Sequence, residues 1–183
     1  YIPLEQLDND SAWKTISGVN SPVLSGGNPK LSANSESIVI GLYDKVYLHS
    51  LDMENGSWIT YSSANMLTGK NVSSVLLDSQ SRLWISYADW DEAILSYTNT
   101  TDSLLTLIEN NTHTHLLKEN DGLGYSPISR IVDLNGKIYL CSWGEGIYCK
   151  EADSWSNYNP VSIGFPRIAQ VVTDNDYNLW FAS

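Results

Sequence analysis

Short apolar runs alternate with turn residues along the chain, and no stretch keeps a helical period long enough to form a helix. Between residues 127 and 158 this alternation predicts strands at about 127–132, 136–142, 146–150 and 154–158. Near the start it predicts strands at about 30–34, 37–42, 44–50 and 57–61. In between it predicts strands at about 72–77, 82–87 and 92–98, followed by a longer fourth region. We therefore expect an all-β fold with four antiparallel strands in each unit.

An acidic residue stands six positions before an aromatic residue in three of these units, and this spacing marks a repeat. The pairs are Asp78 and Trp84, Asp133 and Tyr139, and Asp174 and Trp180. With Val39 at the corresponding position of the first unit, the repeats measure 45, 55 and 41 residues. Units of this length with four short strands are typical of β-propeller blades. We expect Asp78, Asp133 and Asp174 to be structural, because a carboxylate at the end of the inner strand can accept backbone N–H groups of the following turn.

The whole chain is expected to be one β-propeller segment. We expect outer strands of a preceding blade at about 1–17, blades at about 30–61, 72–117 and 127–158, and a half blade at about 167–183. An Asn- and Thr-rich insert near "TNTTDSLLTLIENNTHT" accounts for the length of the second blade. Two arrangements stay open. Either the chain is part of a propeller of about six to eight blades, or residues near 1–7 and 12–16 pair with Leu179–Ala182 and close a four-bladed ring.

The net charge narrows the choice of partner. The chain carries 21 acidic and 10 basic residues, a net charge of −11, which disfavours nucleic acid and anionic membranes because both bind through Lys and Arg. No apolar run approaches the roughly 18 residues of a membrane helix, so no direct membrane insertion is expected. The acidity serves solubility, or a site that attracts cations or hydroxyl-rich ligands. His113 and His115 form only a weak metal pattern, so we expect no metal and no cofactor.

Three stretches of the chain resemble the two-component regulator propeller repeat. They are "NMLTGKNVSSVLLDSQSRLWISY", "DGLGYSPISRIVDLNGKIYLCSWGEGIY" and "IGFPRIAQVVTDNDYNLWFAS". The family pattern is roughly Gly-Leu, Val and Ile around a Ser, Asp-x-x-Gly-x-Leu-Trp, and Gly-Ile or Gly-Leu; Ser81 replaces its turn glycine in the second unit. The resemblance implies a periplasmic or extracellular sensor of a bacterial two-component or hybrid histidine kinase system that detects glycans. Its partners would be an oligosaccharide or other small ligand, the remainder of the propeller and a signalling output domain.

Strand direction alternates within a blade, so the loops after strands two and four share one face. The aromatic and acidic residues of these loops suit a sugar, because an apolar ring face lies beside hydrogen-bonding groups. We expect Tyr43, Trp90, Tyr125 and Trp143 as stacking surfaces, with Asp89, Asp91, Glu145 and Arg167 as polar contacts. The competing interpretation is that Trp143 packs on the neighbouring blade and Trp90 caps its loop.

Two other kinds of function stay open. A propeller enzyme acting on carbohydrate, a glycosidase or lyase, would need two carboxylates at a set separation. Asp89, Asp91, Glu92 and Glu145 could supply them, but we assign no catalytic residue and do not favour enzymatic activity for this segment. A protein-interaction platform or a homodimer is the other alternative.

The two cysteines lie at equal distances from Glu145 along the chain. A hairpin centred on that residue would place Cys141 opposite Cys149 and allow a cross-strand disulfide, which would fit an oxidising compartment. A slip of one residue in register would separate the two thiols.

Overall fold

The computed structural model describes residues 28–50, 58–68, 71–91, 96–98, 103–117, 122–158, 164, 167–174 and 176–182 of the 183-residue chain. The regular structure in these ranges consists of β-strands. Among the described residues there is no helix of the length and apolar character needed to span a membrane. The strands expected near 1–17, and the ring closure through residues near 1–7 and 12–16, lie outside the described ranges.

Three four-stranded antiparallel sheets and one two-stranded sheet form four blades. Blade one contains β1 (Lys30–Ala33), β2 (Ser37–Leu42), β3 (Lys45–Ser50) and β4 (Trp58–Ser62). Blade two contains β5 (Val72–Leu77), β6 (Leu83–Tyr87), β9 (Ser103–Glu109) and β10 (Thr112–Leu117). Between β6 and β9 along the chain, β7 (Asp89–Asp91) and β8 (Ser96–Thr98) form a separate two-stranded ribbon. Blade three contains β11 (Ile128–Leu134), β12 (Lys137–Ser142), β13 (Ile147–Glu151) and β14 (Ser154–Tyr158). Blade four contains β15 (Gln170–Thr173) and β16 (Leu179–Ala182).

The inner strands β1, β5, β11 and β15 lie next to one another in chain order, and the apolar core lies between facing blades. Val46 of blade one packs in one cluster with Val75 and Ile85 of blade two. Trp84 of blade two packs in a second cluster with Leu140 of blade three. A third cluster joins blade three to Ile168 and its neighbours beside blade four. Face-to-face packing of four-stranded antiparallel sheets around their inner strands confirms the predicted β-propeller architecture.

The third strand of blade two differs from the predicted one. Residues 92–98 were expected to form it, but β6 pairs with β9 instead, and Ser96–Thr98 pairs with β7. The physical reason is burial, because Leu104, Leu105 and Ile108 of β9 are buried in the sheet. The stretch expected to be an insert therefore contains a core strand, and the β7 and β8 ribbon accounts for extra length in this blade. In blades one and three, no strand bound differs from its predicted position by more than two residues.

The carboxylate of Asp78 closes the first hairpin of blade two. Its Oδ1 accepts the backbone N–H groups of Gln80 and Arg82 at 2.9 and 2.8 Å. Its Oδ2 accepts Arg82 Nε–H at 2.6 Å and the indole N–H of Trp84 at 2.8 Å. The interval of six residues thus lets one carboxylate cap the turn and bind the first large side chain of the next strand. Asp174 does the same in blade four, where its Oδ2 accepts the Trp180 indole N–H at 2.7 Å.

Blades one and three close this hairpin differently. In blade three, Asn135 and Gly136 have φ values of 55° and 78° and form a two-residue turn. Asp133 Oδ1 accepts the Gly136 N–H at 2.9 Å, and its Oδ2 accepts the Ser79 N–H of blade two at 2.7 Å. In blade one, Asn34 Oδ1 accepts the Glu36 N–H at 2.9 Å. An acidic or amide side chain therefore caps the turn in all four blades.

The possible disulfide between Cys141 and Cys149 is absent from the structure. The structure pairs Cys141 with Ile147, and both thiols are free and buried. The hairpin is centred on Gly144 rather than Glu145, because the Ser142 N–H donates to the Gly146 carbonyl at 2.8 Å. Burial raises the pKa of Cys141 to about 12, which keeps this thiol protonated and unreactive.

Replacement of Asp78 with alanine is expected to lower the free energy of unfolding by about 3 kcal/mol, since it leaves the buried Trp84 indole N–H and the Arg82 guanidinium without their acceptor. Denaturant unfolding measures the loss. Asp174→Ala is the matched control, because Asp174 accepts the Trp180 indole N–H in the same way but at an exposed position. An equal loss in the two variants would contradict the role assigned to burial.

The Asp174 carboxylate, which closes the hairpin of blade four, should titrate at low pH. Hydrogen bonds from Trp180 and then Asn178 lower the pKa of Asp174 to about 2. Because the folded pKa lies below the unfolded value of about 3.9, the contribution to stability is present above about pH 4 and is lost as the pH falls through 2. The Trp180 indole N–H resonance, followed by NMR, should move with a midpoint near pH 2. A midpoint near pH 4 would show that the carboxylate is not held by these donors.

Candidate functional site

A cavity of about 460 Å³ opens beside the first residues of the inner strands. Each blade contributes to its wall, including Lys30 from blade one, Ser73 from blade two, Arg130 from blade three and Gln170 from blade four. Its volume lies within the range of about 300–1,000 Å³ that is usual for small-molecule sites. We call this cavity the axial pocket.

Strand pairing gives four inner-strand residues the same position within their blades. Lys30 pairs with Gly41, Ser74 with Ser86, Arg130 with Cys141, and Gln170 with Ala182. The second-strand partners are separated by 45, 55 and 41 residues, the lengths of the sequence repeat. The repeat is therefore a repeat of register, and Lys30, Ser74, Arg130 and Gln170 occupy equivalent positions. We call these four residues the axial rung.

The rim of the pocket is a second set of equivalent positions. Tyr43, Ala88 and Trp143 each follow strand two of their blade, and all three line the pocket. Tyr43 has a φ of 53° and is 57% exposed, and this left-handed conformation costs a non-glycine residue on the order of 1 kcal/mol. The Val72 N–H fixes it by donating to the Tyr43 carbonyl at 2.7 Å, and the Trp143 N–H donates to Pro127 O at 2.8 Å. Backbone hydrogen bonds thus hold two aromatic residues at the mouth.

Two serines at β-bulges join the inner strands beneath this rim. The register shifts between Val72 and Ser74, and again between Ile128 and Arg130. The bulge residues are Ser73 and Ser129. Ser73 Oγ donates to the Ile128 carbonyl at 2.7 Å, and Ser129 Oγ lies 2.5 Å from the Ile168 carbonyl. Each hydroxyl thus links its blade to the next at pocket level.

Polar contacts position the side chains of the pocket wall. Arg130 donates through Nε to Gln170 Oε1 at 3.2 Å and through Nη1 to the Ser129 carbonyl at 2.9 Å. Asn71, which also lines the pocket, donates to Asp89 Oδ1 at 2.7 Å. Burial, followed by the positive charge of Arg130, lowers the pKa of Lys30.

The structure brings together some of the predicted ligand contacts and separates others. Tyr43 and Trp143 line the pocket, and Asp89 touches it through Asn71. Tyr125 is 63% exposed and Arg167 is exposed, and neither is among the lining residues. Trp90 and Asp91 belong to β7, but their side chains lie outside the described part of the structure.

Glu145 binds the 122–126 loop and is not among the residues that line the pocket. Its Oε1 accepts the Tyr125 N–H at 3.0 Å, and its Oε2 accepts the Ser126 N–H at 2.8 Å and the Tyr148 hydroxyl at 3.1 Å. Gly124 lies so close that a Cβ there would be 2.1 Å from Glu145 Oε2. Burial and then the Glu145 charge raise the pKa of Tyr148 to about 12. Both carboxylate oxygens are thus occupied by the 122–126 loop and its neighbour.

Sequence reasoning missed the residues at the start of the inner strands. Lys30, Asn71, Arg130 and Gln170 line the pocket, whereas the sequence predicted ligand contacts only in the loops after strands two and four. The repeat itself carried the missing signal, because equivalent second-strand positions define equivalent inner-strand positions once the pairing is counted. In the described ranges, no three His, Cys, Asp or Glu side chains group as metal ligands would.

Comparison with known proteins gives a likeness of fold. No family model matches the chain, and no curated protein matches it. The structure is similar to the extracellular domain of BT3049 of B. thetaiotaomicron, a protein assigned as a hybrid two-component system, with a TM-score of 0.57 and 18% identity over 92% of this chain. The chain spans 20% of that domain.

Two further solved structures are similar at TM-scores below 0.5. The extracellular domain of BT4673 of B. thetaiotaomicron, also assigned as a hybrid two-component system, has a TM-score of 0.42 and 11% identity, covering 83% of this chain and 25% of that one. PorZ, a surface component of the type-IX secretion system of Porphyromonas gingivalis, has a TM-score of 0.43 and 14% identity, covering 86% and 28%.

Replacement of Glu145 with glutamine should release the 122–126 loop, because the amide nitrogen that replaces one oxygen cannot accept a backbone N–H. We expect the Tyr125 or Ser126 amide to exchange with deuterium about 10-fold faster, since a hydrogen bond to a charged group contributes about 1.5–3 kcal/mol. NMR-detected exchange measures this. Glu151→Gln is the control, because its exposed carboxylate pairs with Lys137. Unchanged exchange rates of both amides in Glu145→Gln would show that Glu145 does not hold the 122–126 loop.

Proposed function

We propose that the chain is a ligand-binding segment of the extracytoplasmic sensor of a bacterial two-component signalling protein, and that a glycan or other small polar ligand binds in the axial pocket. The observation that carries the proposal is the rim. The repeat places Tyr43 and Trp143 at equivalent positions around one cavity of about 460 Å³. Aromatic side chains beside amide, hydroxyl and basic groups suit the mixed apolar and polar surface of a sugar.

The conformation of Tyr43 supports a binding role. A non-glycine residue at φ 53° persists only where its surroundings hold it, and such residues cluster at functional sites. Here the Val72 N–H holds the turn at 2.7 Å. The backbone of blade two thus keeps the backbone of Tyr43 in place at the mouth of the pocket, where its side chain is 57% exposed.

The likeness of fold supports the sensing part of the proposal. The extracellular domain of BT3049 shares this arrangement of blades, and that protein is assigned as a hybrid two-component system. A location outside the cytoplasm, periplasmic or extracellular, and a signalling output domain as partner follow from this part. The proposal that the ligand is a carbohydrate rests on Tyr43 and Trp143 at the rim.

Replacement of Trp143 with alanine should weaken ligand binding about 10-fold or more, because burial of an aromatic face is worth about 1.5–3 kcal/mol. A glycan array identifies the ligand, and calorimetry compares its affinity for the wild-type chain, Trp143→Ala and Tyr43→Ala. Tyr158→Ala is the matched control, since Tyr158 is 47% exposed on the outer strand β14 and does not line the pocket. An array without any ligand, or equal affinities in all variants, would overturn the proposal.

A further inference from the structure

Two cavities meet at the axial rung. A second cavity of about 400 Å³ runs along the inner strands beyond the first and is lined by Ser32, Ser74 and Leu76, among others. Both cavities are lined by Lys30, Arg130 and Gln170. The two basic side chains of the rung therefore border both compartments, and a ligand that enters from the rim reaches them at the floor of the axial pocket.

These two cations lack negative partners in the described part of the chain. The ion pairs there are Arg82 with Asp78 and Lys137 with Glu151, and Lys150 lies over the Trp155 ring at 5.4 Å. Lys30 and Arg130 form neither kind of contact among the described residues. The described residues that line the axial pocket include two basic side chains and no carboxylate. A chain with a net charge of −11 thus concentrates positive charge at its pocket.

The two like charges are close enough to act on each other. The charge of Arg130 contributes to the lowered pKa of Lys30, after burial. Like charges in a partly buried site raise the free energy of the empty pocket, and an anion between them would relieve this cost. The strand register enforces the arrangement, because Lys30 and Arg130 occupy equivalent rungs of blades one and three.

The hydrogen bonds of Arg130 leave donors for a ligand. Its Nε binds Gln170 Oε1 and one Nη1 donor binds the Ser129 carbonyl. These two contacts fix the plane of the guanidinium. Of the five N–H donors that an arginine carries, the others find no acceptor among the described residues, and a fixed fork of this kind matches a carboxylate.

We infer that Lys30 and Arg130 bind a carboxylate of the ligand, so that the pocket takes an acidic sugar rather than a neutral one. This inference rests on the proposed function, because it names the ligand class of the same pocket. The carboxylate lies between the two basic side chains at the floor. The sugar ring then lies toward the rim, which Tyr43 and Trp143 line and where the Asn71 side chain is held by Asp89.

The test compares ligands that differ only in charge. Calorimetry on the full chain measures the affinity of a panel of hexuronic acid oligosaccharides, of their methyl esters, and of citrate, all at one ionic strength. The same ligands are measured with Lys30→Met and Arg130→Met, which remove the charge and keep similar bulk. Lys137→Met is the matched control, since it removes an exposed cation outside the pocket. Thermal unfolding of each variant reports on its folding.

We expect the free acids to bind at least about 10-fold more tightly than their esters. Either pocket variant should abolish this preference, and Lys137→Met should retain it. Esters that bind as well as acids, with Lys30→Met and Arg130→Met unchanged, would overturn the inference and leave a neutral-sugar sensor standing. Citrate that binds as tightly as the uronides, in a manner that depends on Lys30, would support the carboxylate site and overturn the carbohydrate part of the proposed function. No binding of any probe by folded wild-type chain would overturn the inference.

Discussion

The arrangement of the blades depends on two serine hydroxyls that connect neighbouring inner strands. Ser73 and Ser129 occupy β-bulges, where the extra residue turns a polar side chain toward the next blade. Their hydroxyl oxygens lie 2.7 and 2.5 Å from the carbonyls of Ile128 and Ile168, which stand at the beginning of the following inner strands. A hydrophobic interface between sheets does not by itself fix how far one sheet slides along the other. These hydrogen bonds do, because they have a direction and a fixed length.

Because the height of each blade is fixed relative to its neighbours, residues at equivalent positions of the sequence repeat can form one binding site. Side chains from positions 40 to 56 residues apart along the chain meet around one axis only if the blades share a level, and Lys30, Ser74, Arg130 and Gln170 all line the second cavity. The same levels place Tyr43 and Trp143 at the rim. In this chain the rung holds two cations, against the negative charge of the protein as a whole.

The sequence alone predicted most strands of the blades, but it did not predict the inner-strand residues that line the pocket. Asp78 and Trp84 predicted the first hairpin of blade two because the hydrogen bond between them is local: the indole N–H lies only six residues from its acceptor. The third strand of that blade was misplaced, because β9 lies beyond a ribbon that no local pattern distinguishes from a strand of the sheet. The expected pairing of Cys141 with Cys149 was two residues off, since the backbone hydrogen bond from Ser142 to Gly146 places Ile147 opposite Cys141. Lys30 and Arg130 are 100 residues apart, and only the pairing of four strands brings them together.

Cross-linking tests the shared level most directly. Lys30→Cys combined with Arg130→Cys places two thiols on the wall of the axial pocket, while Cys141 and Cys149 are buried. Treatment of the full chain with a short bismaleimide, followed by mass spectrometry of its peptides, should show a link between positions 30 and 130. Lys30→Cys with Lys137→Cys is the control pair, because Lys137 lies at the far end of β12 and lines neither cavity. Efficient linking of the first pair alone is the predicted result, and equal or absent linking of both pairs would contradict the account.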